Sequence, residues 1–259
     1  MVPRRLEPPA RKSGLLMEMK PAVVAMALIL AGAACTASSS VDRPASPVAI
    51  ADGPSPSATP VPATTQPPRF RSEVSALYDA ARRLVLRRNW HPGCPVPIAD
   101  LRLVTVRYWN FAGDVRVGPL VLHKQVANDV LWVFRQLFRA RFPIHRVDLA
   151  PRPQPIDWNS TRNLTSSFNC REATGNPGSL SQHSYGWAVD INPLQNPYVR
   201  SDGSVLRAAA KPYRDRSRDR PGMIHPGDVV VRSFAHIGWE WGGNWHTLMD
   251  YMHFSLTGR

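Results

Sequence analysis

Hydrophobic positions along the second part of the chain predict a series of short strands and helices. Segments 101–109 and 115–122 are rich in β-branched and aromatic residues, and Gly113 and Asp114 lie between them. This pattern predicts a β-hairpin. Apolar residues then recur at helical spacing from Val126 to Leu137, which predicts an amphipathic helix ended by Pro143.

Further elements follow from the same pattern. A helix is predicted over 73–88 from apolar positions at helical spacing, which are Leu77, Ala80, Ala81, Leu84 and Val85. Other predicted elements are short strands at 147–149, 187–191 and 252–256, a loop over 151–178, and a helix over 228–236 capped by Asp228. Strands and helices are mixed without a βαβ rhythm, which favours an α+β domain with a mainly antiparallel sheet and flanking helices.

Alternation along two predicted strands separates an apolar from a polar face. The residues expected to face the core are Trp187, Val189 and Ile191 on the first strand and Met252, Phe254 and Leu256 on the second. Asp190 on the first strand, and His253 and Ser255 on the second, are expected on the polar side. Each of the two strands therefore brings a potential metal ligand to its polar face.

The first 69 residues have a different composition. A basic flank, a short apolar run and small residues before Cys35 predict a secretory signal over 1–35, and the run is too short to span a membrane. Cys35 follows small residues as in a bacterial lipobox, which predicts lipidation; plain secretion is the alternative. Residues 36–69 are rich in Ser, Pro and Thr and are expected to be a disordered tether. Residues 70–259 then form one domain of ordinary size.

The formal net charge of +13 limits the expected partners. An exported basic protein meets anionic wall polymers and lipid headgroups rather than nucleic acid, so we expect the outer face of the cytoplasmic membrane or the cell wall as its location. The densest basic run is 211–220, which fits either a solvated loop or a polymer-binding site. We expect a monomer.

Cys94 and Cys170 remain once Cys35 is assigned to the lipobox. In an exported protein an even pair of cysteines favours a disulfide. Neither cysteine has the spacing of a zinc ligand. We therefore expect the pair to be structural.

His183, Asp190 and His253 are the candidate metal ligands. Two imidazoles and a carboxylate suit Zn²⁺, and three protein ligands leave a fourth position for water. A metal held in this way supports amide hydrolysis. The pair His183 and Asp190 would be weak evidence by itself, and His253 near the end of the chain strengthens it.

Asp250 precedes His253 by three residues and is the candidate general base and acid. Orientation of a ligand histidine or a simple turn would also explain this residue. Glu240 is the rival base, but it lies between two tryptophans and has no fixed link to a ligand.

Arg171 follows Cys170, so a disulfide would restrain it. Its guanidinium could neutralise an oxyanion or bind a substrate carboxylate; an ion pair with Glu172 or Asp157 is the alternative. Tyr185, Trp241 and Trp245 could form the floor of a cleft, although aromatic residues also fill cores.

Several motifs of the sequence, taken together, resemble those of a known family. Ser181-x-His183-x-x-Gly186-x-Ala188-x-Asp190, followed by Asp250-x-x-His253-Phe254, resembles the D-Ala-D-Ala carboxypeptidase family of zinc metallopeptidases, and most closely its L-Ala-D-Glu endopeptidases. The wider matches are Gly93-Cys94-Pro-Val, Arg141-Phe-Pro-Ile144, Ser167-Phe-Asn-Cys-Arg171, Asp190-Ile-Asn-Pro193, Asn196-Pro-Tyr198 and the segment 238–243.

The resemblance implies roles for particular residues. By it, His183, Asp190 and His253 bind zinc, Asp250 is the general base and acid, and Arg171 polarises the scissile carbonyl or binds substrate. It also implies that Ser181 helps to place a substrate. The implied fold is the small α+β domain shared with lysostaphin-like peptidases and the hedgehog signalling domain.

Two functions follow as hypotheses. The first is zinc-dependent hydrolysis of peptidoglycan stem peptides, as a D,D- or L,D-carboxypeptidase or an endopeptidase. The second is a non-catalytic, zinc-containing module that binds the cell wall, since one fold can host both. Asp250 and Arg171 favour the enzyme, because a pure binding module needs neither.

Overall fold

The computed structural model describes residues 68–150 and 162–258. The predicted signal peptide (1–35) with Cys35, nearly all of the predicted tether (36–69) and part of the predicted loop (151–178) lie outside the described residues. No helix in the described part of the chain has the length and apolarity that a membrane span requires.

A three-stranded antiparallel sheet forms the regular half of the domain. Its strands are β1 (Glu73–Ala76), β2 (Leu101–Trp109) and β3 (Val115–His123), in the order β1-β2-β3. The pairing runs from Leu101 opposite His123 to Trp109 opposite Val115. The predicted hairpin is confirmed.

Three α-helices pack around the strands: α1 (Asp79–Arg88), α2 (Ala127–Arg139) and α3 (Val229–His236). The helix predicted over 73–88 is wrong at its start, because residues 73–76 pair with β2 instead. Helix α2 does not extend to Pro143; Arg141, with φ 54°, has already left the helical path. Helix α3 begins as predicted, with the Asp228 carboxylate accepting a hydrogen bond from the Val231 amide at 2.9 Å.

The other half of the domain is built from very short strands. These are β4 (Glu172–Ala173), β5 (Asn176–Leu180), β6 (Ala188–Asp190), β7 (Tyr198–Val199), β8 (Glu240–Trp241), β9 (Met249–Asp250) and β10 (His253–Ser255). They form a β6-β10-β8 sheet and two pairs, β4-β5 and β7-β9, all antiparallel. The α+β prediction with small antiparallel sheets is confirmed.

Two details of this half contradict the sequence predictions. The strand predicted at 147–149 is a single parallel bridge between Val147 and Thr165. The segment 151–178 is not all loop, because its end contains β4 and the start of β5. These elements are too short for a periodic pattern to reveal them.

Apolar side chains fill two cores. The larger core lies between the hairpin, the β6-β10-β8 sheet and helices α2 and α3, and its fully buried members include Phe134, Phe234 and Phe254. The smaller core lies under α1 and contains Cys170. A disulfide joins Cys170 to Cys94, with their Cα atoms 5.9 Å apart, as predicted.

The predicted polar side of the β6-β10 pair is itself buried. Ala188 and Ser255 are opposite one another on this side and are fully buried. Leu256 was expected in the core but lies beyond the strand and is 38% exposed. The two strands are therefore covered on both faces; the candidate ligand His253 is buried, and the side chain of Asp190 is 19% exposed.

Candidate active site

The three predicted metal ligands converge. Asp190 on β6 is the register partner of His253 on β10, so their side chains lie together. His183 Nε2 lies 3.2 Å and His253 Nδ1 lies 3.1 Å from the same carboxylate oxygen of Asp190. The potential ligand atoms of all three residues lie within 4.8 Å of one another.

A tight turn carries His183 into this cluster. Residues Gln182–Tyr185 form a 3₁₀ helix that Ser181 caps, with the His183 amide donating to the Ser181 hydroxyl at 3.3 Å. Gly186 ends the turn with φ 69°, and a Cβ there would lie 2.6 Å from the backbone nitrogen of His123. The glycine is therefore required both by its conformation and by this close approach.

The backbone fixes which nitrogen of His183 faces Asp190. Its Nδ1 lies 2.7 Å from the Ser167 carbonyl oxygen, which can only accept a hydrogen bond. Nδ1 must therefore carry a proton, so Nε2, 3.2 Å from the Asp190 carboxylate, is the nitrogen available to a metal. This buried Nε2 has no hydrogen-bond partner among the described residues. That arrangement is typical of a metal ligand.

Electrostatics within the cluster favour an ionised Asp190. Burial by itself would raise the pKa of this carboxyl, but His183 and His253 together hold that pKa well below its usual value. A carboxylate and two imidazoles that meet in a buried site form a suitable ligand set for a divalent cation.

Buried asparagines hold the chain that leaves β6. Asn192 has φ 47° and is fully buried. Its amide donates to the carbonyls of Pro143 and Gly222, and its side-chain oxygen accepts from the His145 amide. Asn196 likewise donates to the Gly222 carbonyl at 2.9 Å. These amides fix the position of the segment that follows Asp190.

Asp250 is held beside the cluster by its own strand pair. It is the register partner of Tyr198 in the β7-β9 pair. Gly242 contacts its backbone so closely that a Cβ there would lie 2.6 Å from the Asp250 carbonyl oxygen. One carboxylate oxygen of Asp250 is buried without a hydrogen-bond partner in the described part of the chain.

The surroundings of Asp250 shift its protonation. Burial and the nearby Asp190 carboxylate raise the pKa of Asp250 to about 7, against the opposing effects of His253, Arg171 and Arg207. A carboxyl with a pKa near neutrality can both accept and release a proton. The rival Glu240 is exposed on β8.

Arg171 lies within electrostatic range of Asp250. Its backbone is fixed by the adjacent disulfide and by two hydrogen bonds with the Ser184 hydroxyl. Its guanidinium donates to the Glu172 carbonyl oxygen at 2.9 Å, so the alternative of an ion pair with the Glu172 carboxylate is not observed. Asp157, the other partner considered, lies outside the described residues.

Arg207 is a second cation at the site that sequence reasoning missed. The Leu206 amide donates to Tyr198, and Tyr198 pairs with Asp250, so Arg207 follows directly on a segment beside the Asp250 strands. Burial lowers the pKa of Arg207, and the charges of Asp190 and Asp250 oppose that effect. Nothing in the local spacing marks this arginine, because only the fold brings 205–207 beside β7.

The remaining predicted residues take different positions. Ser181 is buried, and its hydroxyl caps the turn that carries His183. Tyr185 stacks on Trp187 with ring centroids 5.1 Å apart. The Trp245 ring lies 5.6 Å from the His253 ring and so borders the cluster. Trp241 does not form a cleft floor, since it is buried in the larger core.

Comparison with known proteins adds one match. Residues 174–256 match the family model described as D-alanyl-D-alanine carboxypeptidase. The resemblance to that zinc peptidase family is confirmed. The matched segment contains His183, Asp190, Asp250 and His253, whereas Arg171 precedes it. No curated protein matches the chain, and no solved structure does. The match indicates a peptidase.

Proposed function

We propose that the protein is a zinc-dependent peptidase that hydrolyses peptide bonds in peptidoglycan stem peptides. The observation that carries the proposal is the convergence of His183, Asp190 and His253 with Asp250 held beside them. The family match over the same segment supports it.

The donor set fits zinc. His183 offers a buried Nε2 without a hydrogen-bond partner among the described residues, and His253 and Asp190 offer ligand atoms beside it. When bound there, a zinc ion would supply Lewis acidity that polarises a scissile carbonyl and acidifies a water molecule. Three protein ligands would leave a position open for that chemistry.

Asp250 would move the proton in this reaction. Its carboxylate lies beside the three candidate ligands, where it could take a proton from the attacking water and return it to the leaving amine. The two strand contacts on its backbone, through Tyr198 and Gly242, keep it in place.

Arg171 and Arg207 would bind and orient the substrate. Each has Asp250 within electrostatic range, and neither forms an ion pair with a carboxylate among the described residues. Guanidinium groups pair bidentately with carboxylates, which stem peptides carry on their D-residues. We propose that one or both bind such a carboxylate or the developing oxyanion.

The expected surroundings of the enzyme complete the proposal. An N-terminal signal, lipidation at Cys35 and a tether would place the domain outside the cytoplasmic membrane, within reach of peptidoglycan. Radiolabelled palmitate incorporation by the parent chain and by Cys35→Ala would test the anchor.

The decisive experiment compares two carboxamide variants. Asp250→Asn should lower the kcat for muropeptide hydrolysis about a thousandfold. The variant should still retain one zinc ion per chain. Glu240→Gln, a matched change at an exposed carboxylate, should leave kcat unchanged. Mass spectrometry of the products would identify the bond. Parent protein that binds wall peptides without turnover would show the non-catalytic module instead.

Arg207 gives a second test of the same proposal. Arg207→Gln should raise KM about tenfold or more for a peptide with a free carboxylate next to the scissile bond, since a charge-assisted hydrogen bond is lost. The same peptide with that carboxylate amidated should show a much smaller change. Equal effects on the two peptides would contradict a role in carboxylate recognition.

A further inference from the structure

A cleft lined by arginines lies among the first described residues, β2 and the end of α2. Its volume is about 450 Å³. Four of its lining residues are arginines, namely Arg69, Arg135, Arg139 and Arg141. The other walls are Pro68 and the aromatic rings of Phe70, Trp109 and Phe138. None of the residues assigned to the active site lines this cleft.

The charge of the cleft is uncompensated. None of the described residues that line the cleft is acidic. None of the four arginines forms an ion pair with a carboxylate in the described part of the chain, where the ion pairs involve other residues. Like charges that share one cleft repel each other, and that repulsion is relieved when an anion binds between them.

The aromatic wall holds two of these cations in place. Arg141 lies over the Trp109 ring at 4.6 Å, and Arg135 lies over the Phe70 ring at 5.8 Å. Trp109 is itself fixed, because its indole N–H donates to the Phe138 carbonyl at 2.9 Å and its ring stacks on that of Phe138. A stacked guanidinium keeps its N–H edge available for an anion.

A purely structural role explains only part of this arrangement. Arg139 ends α2 and Arg141 follows it, where cations complement the helix dipole. That effect does not account for Arg69, which comes from a different segment, or for the lack of any acidic residue in the cleft. Four cations from two separate segments of the chain, at 69 and at 135–141, around one cavity are better explained by an anionic ligand.

We propose that this cleft binds phosphodiester groups. Arginine matches phosphate oxygens bidentately, and the cavity has room for a phosphate with its organic substituents. Pro68 lines the cleft, so the cleft lies near the start of the described part of the domain. Both phospholipid headgroups and phosphodiester polymers of a bacterial surface would present this chemistry to an exported protein.

The test uses the purified full chain and a matched pair of variants. Arg135→Gln combined with Arg139→Gln removes two exposed cations from α2, whereas Arg82→Gln combined with Arg83→Gln removes two exposed cations from α1. Thermal unfolding verifies that both variants fold. Binding is measured on vesicles with and without phosphatidylglycerol and with a soluble glycerol-phosphate oligomer.

The parent protein should bind at least one of these phosphodiester ligands saturably. The Arg135/Arg139 variant should bind it about tenfold more weakly, and the Arg82/Arg83 variant should bind nearly as the parent does. Tighter binding to vesicles would identify a lipid headgroup as the source, and tighter binding to the oligomer would identify a polymer. Equal losses in the two variants, or no binding by the parent, would overturn the proposal.

Discussion

The hairpin half and the active-site half of this domain are built differently. Strands β2 and β3 pair over nine residues each and have a continuous register. The strands that carry Asp190, Asp250 and His253 have two or three residues each, and turns and side-chain hydrogen bonds join them. Both halves contribute to the larger core, but the first is held by a regular ladder and the second by short pairings, turns and side-chain hydrogen bonds.

The difference shows how stability and chemistry are divided. The hairpin packs on α2, and these two elements together contribute about half of the buried side chains of the larger core, so substitutions there should act on folding. The short strands place carboxylates and imidazoles in a buried cluster, an arrangement that is costly unless each group is paired or bound to a ligand. Variants that affect one half and spare the other would test this division.

The largest effect on stability is expected at Phe134 on α2, which is 1% exposed. Phe134→Ala should lower the free energy of unfolding by about 3–5 kcal/mol, because it leaves a cavity in the larger core. Denaturant unfolding measures this loss. At a temperature where the variant is folded, its kcat on muropeptides should equal that of the parent; a large drop would show that the halves are not separable.

A smaller loss of stability is expected on substitution of Asn192, in the active-site half. Asn192→Gly keeps the positive φ but removes three side-chain hydrogen bonds to backbone groups, of which the Gly222 carbonyl retains one from Asn196, so the free energy of unfolding should fall by about 2–3 kcal/mol. Zinc affinity should also fall, because Asp190 lies two residues earlier. Asn176→Gly, at an exposed position, is the control. If only stability changed, the amide network would not position the ligand.

The smallest predicted effect is a change in the pH dependence of stability. In metal-free protein the pKa of Asp250 is raised to about 7 from an ordinary value of 3.8, so the folded state binds this proton more tightly than the unfolded state. The stabilising effect of this proton is complete when the pH is below the ordinary pKa of 3.8, and it is lost as the pH rises towards 7. Metal-free parent should therefore lose more stability between pH 5 and pH 8 than metal-free Asp250→Asn does.

Thermal unfolding of both chelated proteins at these two pH values checks that expectation. Between pH 5 and pH 8, the Tm of the parent should fall by at least about 2 °C more than that of the variant. This is the shift that 1 kcal/mol gives in a domain of this size. Identical pH dependence would show that Asp250 has an ordinary pKa.

The same contrast explains what the sequence could predict. The hairpin and α2 followed from periodicity, because long elements repeat their pattern several times. The ligands His183, Asp190 and His253 were found by residue type and motif, and the structure brings them together. Arg207 and the β4-β5 hairpin were missed, since their positions depend on contacts between distant segments that no local pattern records.

The disulfide has a practical consequence for metal analysis. The sulfurs of Cys94 and Cys170 and a ring nitrogen of His91 lie within 4.8 Å of one another. While the bridge is intact, the sulfurs are not available as ligands. Reduction would release two thiols beside an imidazole, and such a set also binds zinc. Protein made in a reducing cytosol would thus offer a second group of potential ligands, so zinc should be counted on the oxidised form.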